Sequence, residues 1–577
     1  MHSLFEITFP VTAGETEELY YRKKGNVSLE RGRLRLADGA KVSFDAFYNL
    51  FSYSKFVRFG EIKEIITSFD LTGRFSIKLF LCDTDGNERL IEEKTVTDKA
   101  EFFTDISSLG GEGFFYAELT AIGEGTINKG CYYTKEQGKN LKICIAICTY
   151  RREEFAVNNV KKLNAYFTGD EFLRDKFSVV LIDNGNTVGE TEGCRVVPNK
   201  NLGGSGGFTR GLMEAAKGDF THVLLMDDDV DFDCKIFRKL YSILSFAKDD
   251  ELSVGGGMLV LNEPYLQYEC GAVWKGRRLF ANNANLDMRD KKSLAMSEKE
   301  LPVDYNAWWF MCMPVSFVAK YGLPFPFFIK GDDIEYGLRC CGNIAVMNGL
   351  AVWHESFDKK YGPTLEYYVK RNEAVINAVY RPSFGAKGEI KKLVLAVGNR
   401  LAYQRYYEVE LIFRAYKDFL KGPDFFACDG EILNAELRSG APVFISGEKL
   451  RAEGYDTSAI FEAQKSKGSF LRCVITLNGY LLPDCCYGEK NTRVVNMFTK
   501  RPSDFYKSKR TLQYDPVTDR GFFSVLDRKA LFKAGFNLIG LSIRLLFSYR
   551  KLRREYVKKL PSVCSERAWL ERLGIDR

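Results

Sequence analysis

The chain is poor in histidine. Its 577 residues contain three, at His2, His222 and His354, beside five tryptophans and 15 prolines. A chemistry built on several imidazoles is therefore excluded, and any imidazole ligand must be one of these three. The 15 cysteines are scattered, and the adjacent pairs Cys340-Cys341 and Cys485-Cys486 lack zinc-type spacing. Charge of one sign is also lacking. The formal net charge of +7 is too small to make nucleic acid the main partner. The opening Met1-His2-Ser3-Leu4-Phe5-Glu6 has neither the basic nor the apolar region of a secretory signal. Reduced cysteines in a cytoplasm are expected. No glycine-rich stretch matches a Walker A motif.

What is present is ordinary globular composition, 45% hydrophobic and 28% charged, in a chain too long for one core. Residues 1–138 read as all-β. Phe75, Ile77, Leu79 and Leu81 recur at period two, as do Phe115, Ala117 and Leu119, with turns such as Asp83–Asn87 between such runs. Short strands at this spacing predict a β-sandwich or jelly roll, either a carbohydrate-binding module or a packing one.

Near Lys139 the pattern changes. Ile143–Cys148, Val179–Ile182, Val196–Val197 and Thr221–Met226 are apolar runs separated by helical stretches, the first from Glu153 to Phe167. Alternation of this kind predicts a doubly wound α/β sheet over 139–384, whose ligands sit beyond the carboxyl ends of the strands. Thr149, Arg151, Asp183, Asn184 and the triplet Asp227-Asp228-Asp229 all fall at those ends. Asp227 and Asp228 are thereby candidate donor-binding residues. On an extended backbone Asp227 and Asp229 project to one side, so the pair can share a hard divalent cation, with Asp228 turned away. A solvated acidic turn is the plainer alternative. His354 can complete such a metal site, whereas His222 enters a strand and reads as structural.

The glycine-rich stretch Asn201–Gly211 leads into a helix just before the acidic strand. It is either a wall of the donor site or a tight loop packed on the sheet. Asp332 and Asp333 precede a helix that begins near Ile334. One carboxylate suffices to cap it, which leaves the other for chemistry.

These motifs occur in order: Thr149-x-Arg151 or Thr149-Tyr150-x-Arg152, Asp183-Asn184, Asn201-Leu202-Gly203-Gly204-x-Gly206-Gly207, the aspartate triplet, Trp308-Trp309, Asp332-Asp333-x-Glu335-Tyr336-Gly337, Trp353-His354 and Tyr367-Tyr368-x-x-Arg371-Asn372. Together they resemble the polymerising galactofuranosyltransferases of mycobacterial galactan synthesis, within the family 2 GT-A glycosyltransferases. The resemblance is strong over about 140–380. It implies inverting transfer of galactofuranose from UDP-galactofuranose to a glycan or lipid-linked glycan. Asp227, Asp229 and His354 would hold Mn2+ or Mg2+. Thr149, Arg151, Asp183 and Asn201 would line the UDP site. Asp333 would be the general base, with Asp332 as the neighbouring candidate, and Trp308 and Trp309 would lie near the acceptor. One departure stands out: the family's tryptophan before the aspartate pair is Gly331 here. The alternatives are a family 2 transferase using another donor, such as dTDP-rhamnose, and a non-catalytic glycan-binding assembly protein.

Residues 385–577 read as mainly helical, with loops near Gly440-Ala441-Pro442 and Lys507–Arg510. Within them Ala530–Phe547 is strongly apolar and is followed by Arg550-Lys551-Leu552-Arg553-Arg554. Asn537 and Arg544 argue against a spanning helix. A helix lying on an anionic membrane surface and an ordinary packing helix both fit. The expected setting is cytoplasmic and peripheral on the inner face of a bacterial plasma membrane, with the chain as a homo-oligomer.

Overall fold

A computed structural model describes residues 2–10, 16–357, 361–462, 469–487 and 492–575. The chain forms two compact units, one of Met1–Pro324 with Asp333–Ser356, the other of Phe325–Asp332 with Phe357–Arg577.

The first unit opens with the β-rich segment. Its longest strands are Glu64–Asp83, Glu88–Asp105 and Gly113–Thr134. The period-two residues meet each other across the ladder: Phe75 faces Ala121, Ile77 faces Leu119, Leu79 faces Ala117 and Leu81 faces Phe115. All are buried, because one face of the pleat is turned inward. The Asp83 carboxylate accepts the amides of Asp85 and Asn87, which closes the expected turn. The sandwich expected from the sequence is not divided into two hydrogen-bonded sheets. All eight strands join one antiparallel network. The strands are too long to stay flat, and register shifts between Asp70 and Arg74 let them bend.

The same unit contains a nine-stranded sheet. Cys194–Pro198, Phe177–Asp183, Ile143–Thr149 and His222–Asp227 lie side by side and parallel. Met311–Pro314 then joins antiparallel and leads to Ser253–Val260, which pairs in parallel with Ile344–His354. The apolar runs are continuous because helices cover the central strands. Gly207 and Gly211 of the helix Gly203–Lys217 are what allow it to settle on them. A Cβ at Gly207 would stand 2.0 Å from the Cys148 sulfur, and one at Gly211 2.6 Å from the Ala146 Cβ. The packing reading of the glycine-rich stretch therefore holds at these two positions.

The second unit is mainly helical, but it also contains a four-stranded sheet built from Ile445–Ser446, Arg493–Asn496, Arg510–Asp515 and Arg520–Val525. This corrects the reading of its connections as loops alone. Thr511, Leu512, Gln513 and Tyr514 are all buried, so the strand lacks the alternating pattern that marks a half-exposed one. The helix Arg528–Val563 buries Leu541, Leu545, Tyr549, Leu552 and Tyr556 along one face. Tyr556 stacks on Phe419 at 5.3 Å and donates to the Phe419 carbonyl.

At the end of the strand Glu263–Glu269 of the nine-stranded sheet, in the first unit, Glu269 is 5% exposed and accepts the Tyr305 hydroxyl at 3.1 Å. Burial pushes its carboxyl up to about 7. The folded chain thus binds this proton more tightly than the unfolded chain does. The associated stability is complete below about pH 4.5 and is lost as the pH rises through about 7. Glu269→Gln should leave denaturant stability near pH 4.5 almost unchanged and raise it by up to roughly 3 kcal/mol at about pH 8. An equal change at both pH values would show that Glu269 is not the titrating group.

Candidate functional site

The strand His222–Asp227 delivers the aspartate triplet to the carboxyl edge of the parallel sheet. Asn159 of the helix Glu153–Gly169 donates its amide at 2.9 Å to the carbonyls of both Asp228 and Val230, which fixes the turn. One further pairing completes the geometry. Asp231 and Trp353 exchange backbone hydrogen bonds at 2.8 and 2.7 Å. This clamps the end of the strand Ile344–His354 against the triplet and places His354 Nε2 3.2 Å from Asp229 Oδ1.

Ligand atoms of Asp227, Asp229 and His354 lie within 4.8 Å of one another. His354 Nδ1 lies 2.7 Å from the Glu355 carbonyl, and a proton there leaves Nε2 directed at the carboxylates. Two carboxylates and one imidazole form a hard, mainly oxygen donor set that suits Mn2+ or Mg2+. Burial opposes a charge on His354, but the hydrogen bond and charge of Asp229 and the charge of Asp227 raise its pKa. A proton and a divalent ion compete for the same nitrogen.

Asp228 points the other way, as the alternation predicts. It is buried, accepts the Thr149 hydroxyl at 2.7 Å and is pushed up to about 6, chiefly by burial. It thereby supports Thr149, itself a candidate donor contact, from beneath. The Asp183 carboxylate accepts the amides of Gly185, Thr187 and Val188 at 2.6–2.8 Å and so shapes the loop after its strand. Asn201 Oδ1 accepts the Gly203 amide at the start of the following helix. Arg151 has φ +55° and lays its guanidinium over the Tyr150 ring. Its neighbour Arg152 bonds Asp229 and lies 3.5 Å from Asp228. Arg152 and Asn159 are site residues that the site assignment drawn from the sequence passed over. Arg152 was already present there as one of two readings of the Thr149 motif.

Trp308 and Trp309 are each 5% exposed. Trp309 donates its indole N–H to the Gly256 carbonyl at 2.9 Å, and Trp308 packs edge-on against Phe208 at 5.2 Å. Asp333 is half-buried, and its Oδ1 accepts the Ile334 amide at 2.8 Å. Its helix is set by Arg339, which donates to the carbonyls of Tyr321 and Leu323, and by Tyr336, which donates to that of Gly322.

In the second unit the segment that runs into the aspartate pair has its own socket. Arg371 donates to the Phe327 carbonyl at 2.7 Å, and Asn372 donates to those of Ile329 and Lys330 at 2.9 and 2.6 Å. The Arg371 guanidinium lies among the rings of Tyr367, Tyr368 and Phe426. Phe328 and Lys330 hold φ of +76° and +66°, a strained state that these bonds help to maintain. Gly331 follows at φ +88°, and a Cβ there would stand 3.2 Å from Ile376. The tryptophan of the family pattern would be strained at this position. The sequence assigns no structural role to the Tyr367-Tyr368-x-x-Arg371-Asn372 motif, because carbonyl acceptors leave no mark in a sequence.

The family described as "Galactofuranosyltransferase 2 N-terminal" matches residues 12–135. The galactofuranosyltransferase GlfT2 of Mycobacterium tuberculosis is 27% identical over 68% of this chain and 67% of its own length. That of Mycolicibacterium smegmatis is 26% identical over 68% and 66%. A solved family 29 carbohydrate-binding module covers 22% of the chain at 13% identity, with a TM-score of 0.16, too low to carry an argument. The matches place the chain among the relatives of glycosyltransferases. Within that class it is similar to the GlfT2 galactofuranosyltransferases, and it spans about two thirds of their length.

His354→Ala and Asp229→Ala should each weaken Mn2+ binding by about 10–100-fold, read by electron paramagnetic resonance of free Mn2+. Asp228→Asn should weaken it far less, because its carboxylate faces Thr149. Equal losses at all three positions would overturn this ligand set.

Proposed function

We propose that the chain is an inverting, metal-dependent GT-A glycosyltransferase that moves galactofuranose from UDP-galactofuranose to a glycan or lipid-linked glycan. The observation that carries this reading is the Asp227, Asp229 and His354 cluster at the carboxyl edge of a parallel sheet, in a chain whose relatives are galactofuranosyltransferases.

A bound divalent ion would neutralise charge that grows on the diphosphate as the sugar departs. Arg152, paired with Asp229 and 3.5 Å from Asp228, holds a guanidinium at the same edge, where it would turn to the diphosphate once a metal takes over the carboxylates. Asp333 is the general base and takes the proton of the acceptor hydroxyl, while Asp332, buried beside it, is the paired alternative. Inversion needs one base and no covalent intermediate, so no nucleophilic serine or cysteine is invoked. A non-catalytic binding role would not require the charge concentrated in this cluster.

The experiment is release of UDP or dTDP from a panel of nucleotide sugars with Mn2+ and a galactan-like acceptor. UDP-galactofuranose should be preferred over UDP-galactopyranose and dTDP-rhamnose, and EDTA should stop transfer. Preferred turnover of a dTDP sugar would favour a rhamnosyltransferase. Asp333→Asn should bind UDP as wild type does but turn over about 10²–10⁴-fold more slowly. Normal turnover of this variant with loss in Asp332→Asn would transfer the role to Asp332.

The reading includes attachment to the inner face of a bacterial plasma membrane. Phe532, Phe536, Ile539, Ile543, Leu546 and Phe547 are 52–80% exposed along one face of the helix Arg528–Val563. Long and apolar enough to span a membrane, the helix is 17% buried over its most apolar stretch. Its opposite face is packed in the second unit, which favours lying on a bilayer over crossing it. The intact chain should therefore float with anionic vesicles, and Phe536→Ser/Phe547→Ser should reduce that fraction severalfold. No flotation of the intact chain would remove the membrane from the proposal and leave the transferase reading standing.

A further inference from the structure

Two clefts adjoin at the amino end of the helix Arg528–Val563. One, of about 510 Å3, is bounded by Tyr406, Asp484, Lys509, Asp527 and Lys529. The other, of about 360 Å3, is bounded by Leu481, Leu482, Leu531 and Phe532. Arg528 lines both.

The first cleft is cationic. Lys509, Arg528 and Lys529 stand against Asp484 and Asp527, one positive charge in excess. Both acids are already matched. Asp484 lies 3.1 Å from Arg528, and Asp527 accepts the Lys529 and Ala530 amides at the helix start. Arg528 is likewise held in place, since it donates to the carbonyls of Tyr480 and Leu482. Lys509 and Lys529 are exposed, and no acid lining the cleft is left to match them.

The second cleft is apolar, and it opens onto the bare stripe that starts at Phe532 and Phe536, 62% and 77% exposed. Leu471, Val474, Ile475 and Leu481 add exposed apolar surface in the same unit. Apolar surface on this scale marks a binding face. A cationic cup that continues into an apolar trough matches a ligand with an anionic head and a hydrocarbon tail. We propose that the paired clefts bind a lipid with a phosphate head group, the phosphate at Lys509 and Lys529 and the chain along Leu531, Phe532 and Phe536. The proposal rests on the membrane-surface reading and deepens it: the helix selects phosphate-headed lipids rather than adhering to any bilayer.

The test uses the full chain. Flotation is measured with phosphatidylcholine vesicles with and without phosphatidic acid, and calorimetry with dihexanoyl phosphatidic acid, dihexanoyl phosphatidylcholine and glycerol 3-phosphate. Wild type should bind the phosphatidic acid vesicles and the short-chain phosphatidic acid, and bind glycerol 3-phosphate far more weakly. Lys509→Ala/Lys529→Ala should weaken vesicle binding about 30-fold, as expected for two lysines at an anionic surface. Its circular dichroism and vesicle-free UDP release should be unchanged. Phe532→Ser should weaken binding of the short-chain lipid while leaving the lysines in place. Unaltered phosphatidic acid binding by the double variant would overturn the head-group assignment. Equal affinity for glycerol 3-phosphate would overturn the lipid and leave a plain phosphate site. Concentration-dependent self-association without vesicle binding would overturn both the inference and the membrane reading, and would make the stripe an interface between copies.

Discussion

The candidate site depends on one backbone pairing, between Asp231 and Trp353. The strands that end at Asp227 and His354 are not neighbours in the sheet. Met311–Pro314 and Ser253–Val260 lie between them. A parallel sheet of this width would keep an imidazole on one edge strand well away from carboxylates near the centre. The chain overcomes this separation by running past the triplet and turning back, so that residue 231 reaches the far strand. That pairing puts Nε2 of His354 within 3.2 Å of Asp229. Asn159 then holds the intervening turn by two carbonyls. The three ligands thus come from two strands and one reversal, all tied by main-chain bonds, and their spacing is rigid before any ion arrives. Preorganisation of this kind lowers the cost of binding a small cation.

This constraint explains which parts of the site were legible in the sequence. Asp227, Asp228 and Asp229 sit on a strand whose apolar run and period fix their directions, and the inward turn of Asp228 follows from alternation alone. His354 was reachable because histidine is so scarce. The roles of Asp183 and Asn201 were less legible. Both residue types can contact a ligand, and both are equally suited to bonding nearby amides, as both do in their loops. Arg151 and Arg152 are adjacent and chemically identical, so only the left-handed backbone at Arg151 separates their directions. Trp308 and Trp309, expected near the acceptor, are almost fully packed, and one indole N–H is bonded to a carbonyl.

At the level of fold, the parallel core was legible because buried strands between amphipathic helices leave continuous apolar runs. The small sheet of the second unit was not. Its strands are short, one is buried on both faces, and its members are separated by long stretches of chain. The socket formed by Arg371 and Asn372 illustrates a different limit. Both side chains act on carbonyl oxygens of residues 327, 329 and 330, and any residue presents such an oxygen. A motif can be conspicuous in a sequence while its partner is invisible there. The left-handed φ values at Phe328 and Lys330 reveal the reason for the socket, since a strained segment needs outside bonds to persist.

The helix Arg528–Val563 shows how a single element can meet two apolar environments. Its buried stripe, from Leu541 through Tyr556, recurs at four, eight, eleven and fifteen residues, and its exposed stripe, from Phe532 through Phe547, follows nearly the same rhythm on another face. Periodicity alone reports the sum of the two and so looks like a uniformly apolar segment, the pattern of a spanning helix. The distinction lies in what each face touches. A helix that crosses a membrane exchanges all its faces with lipid, and this one has already committed Tyr549 and Tyr556 to its own unit. Only the remaining face is available to a surface, and the cationic cleft stands at the end where that face begins.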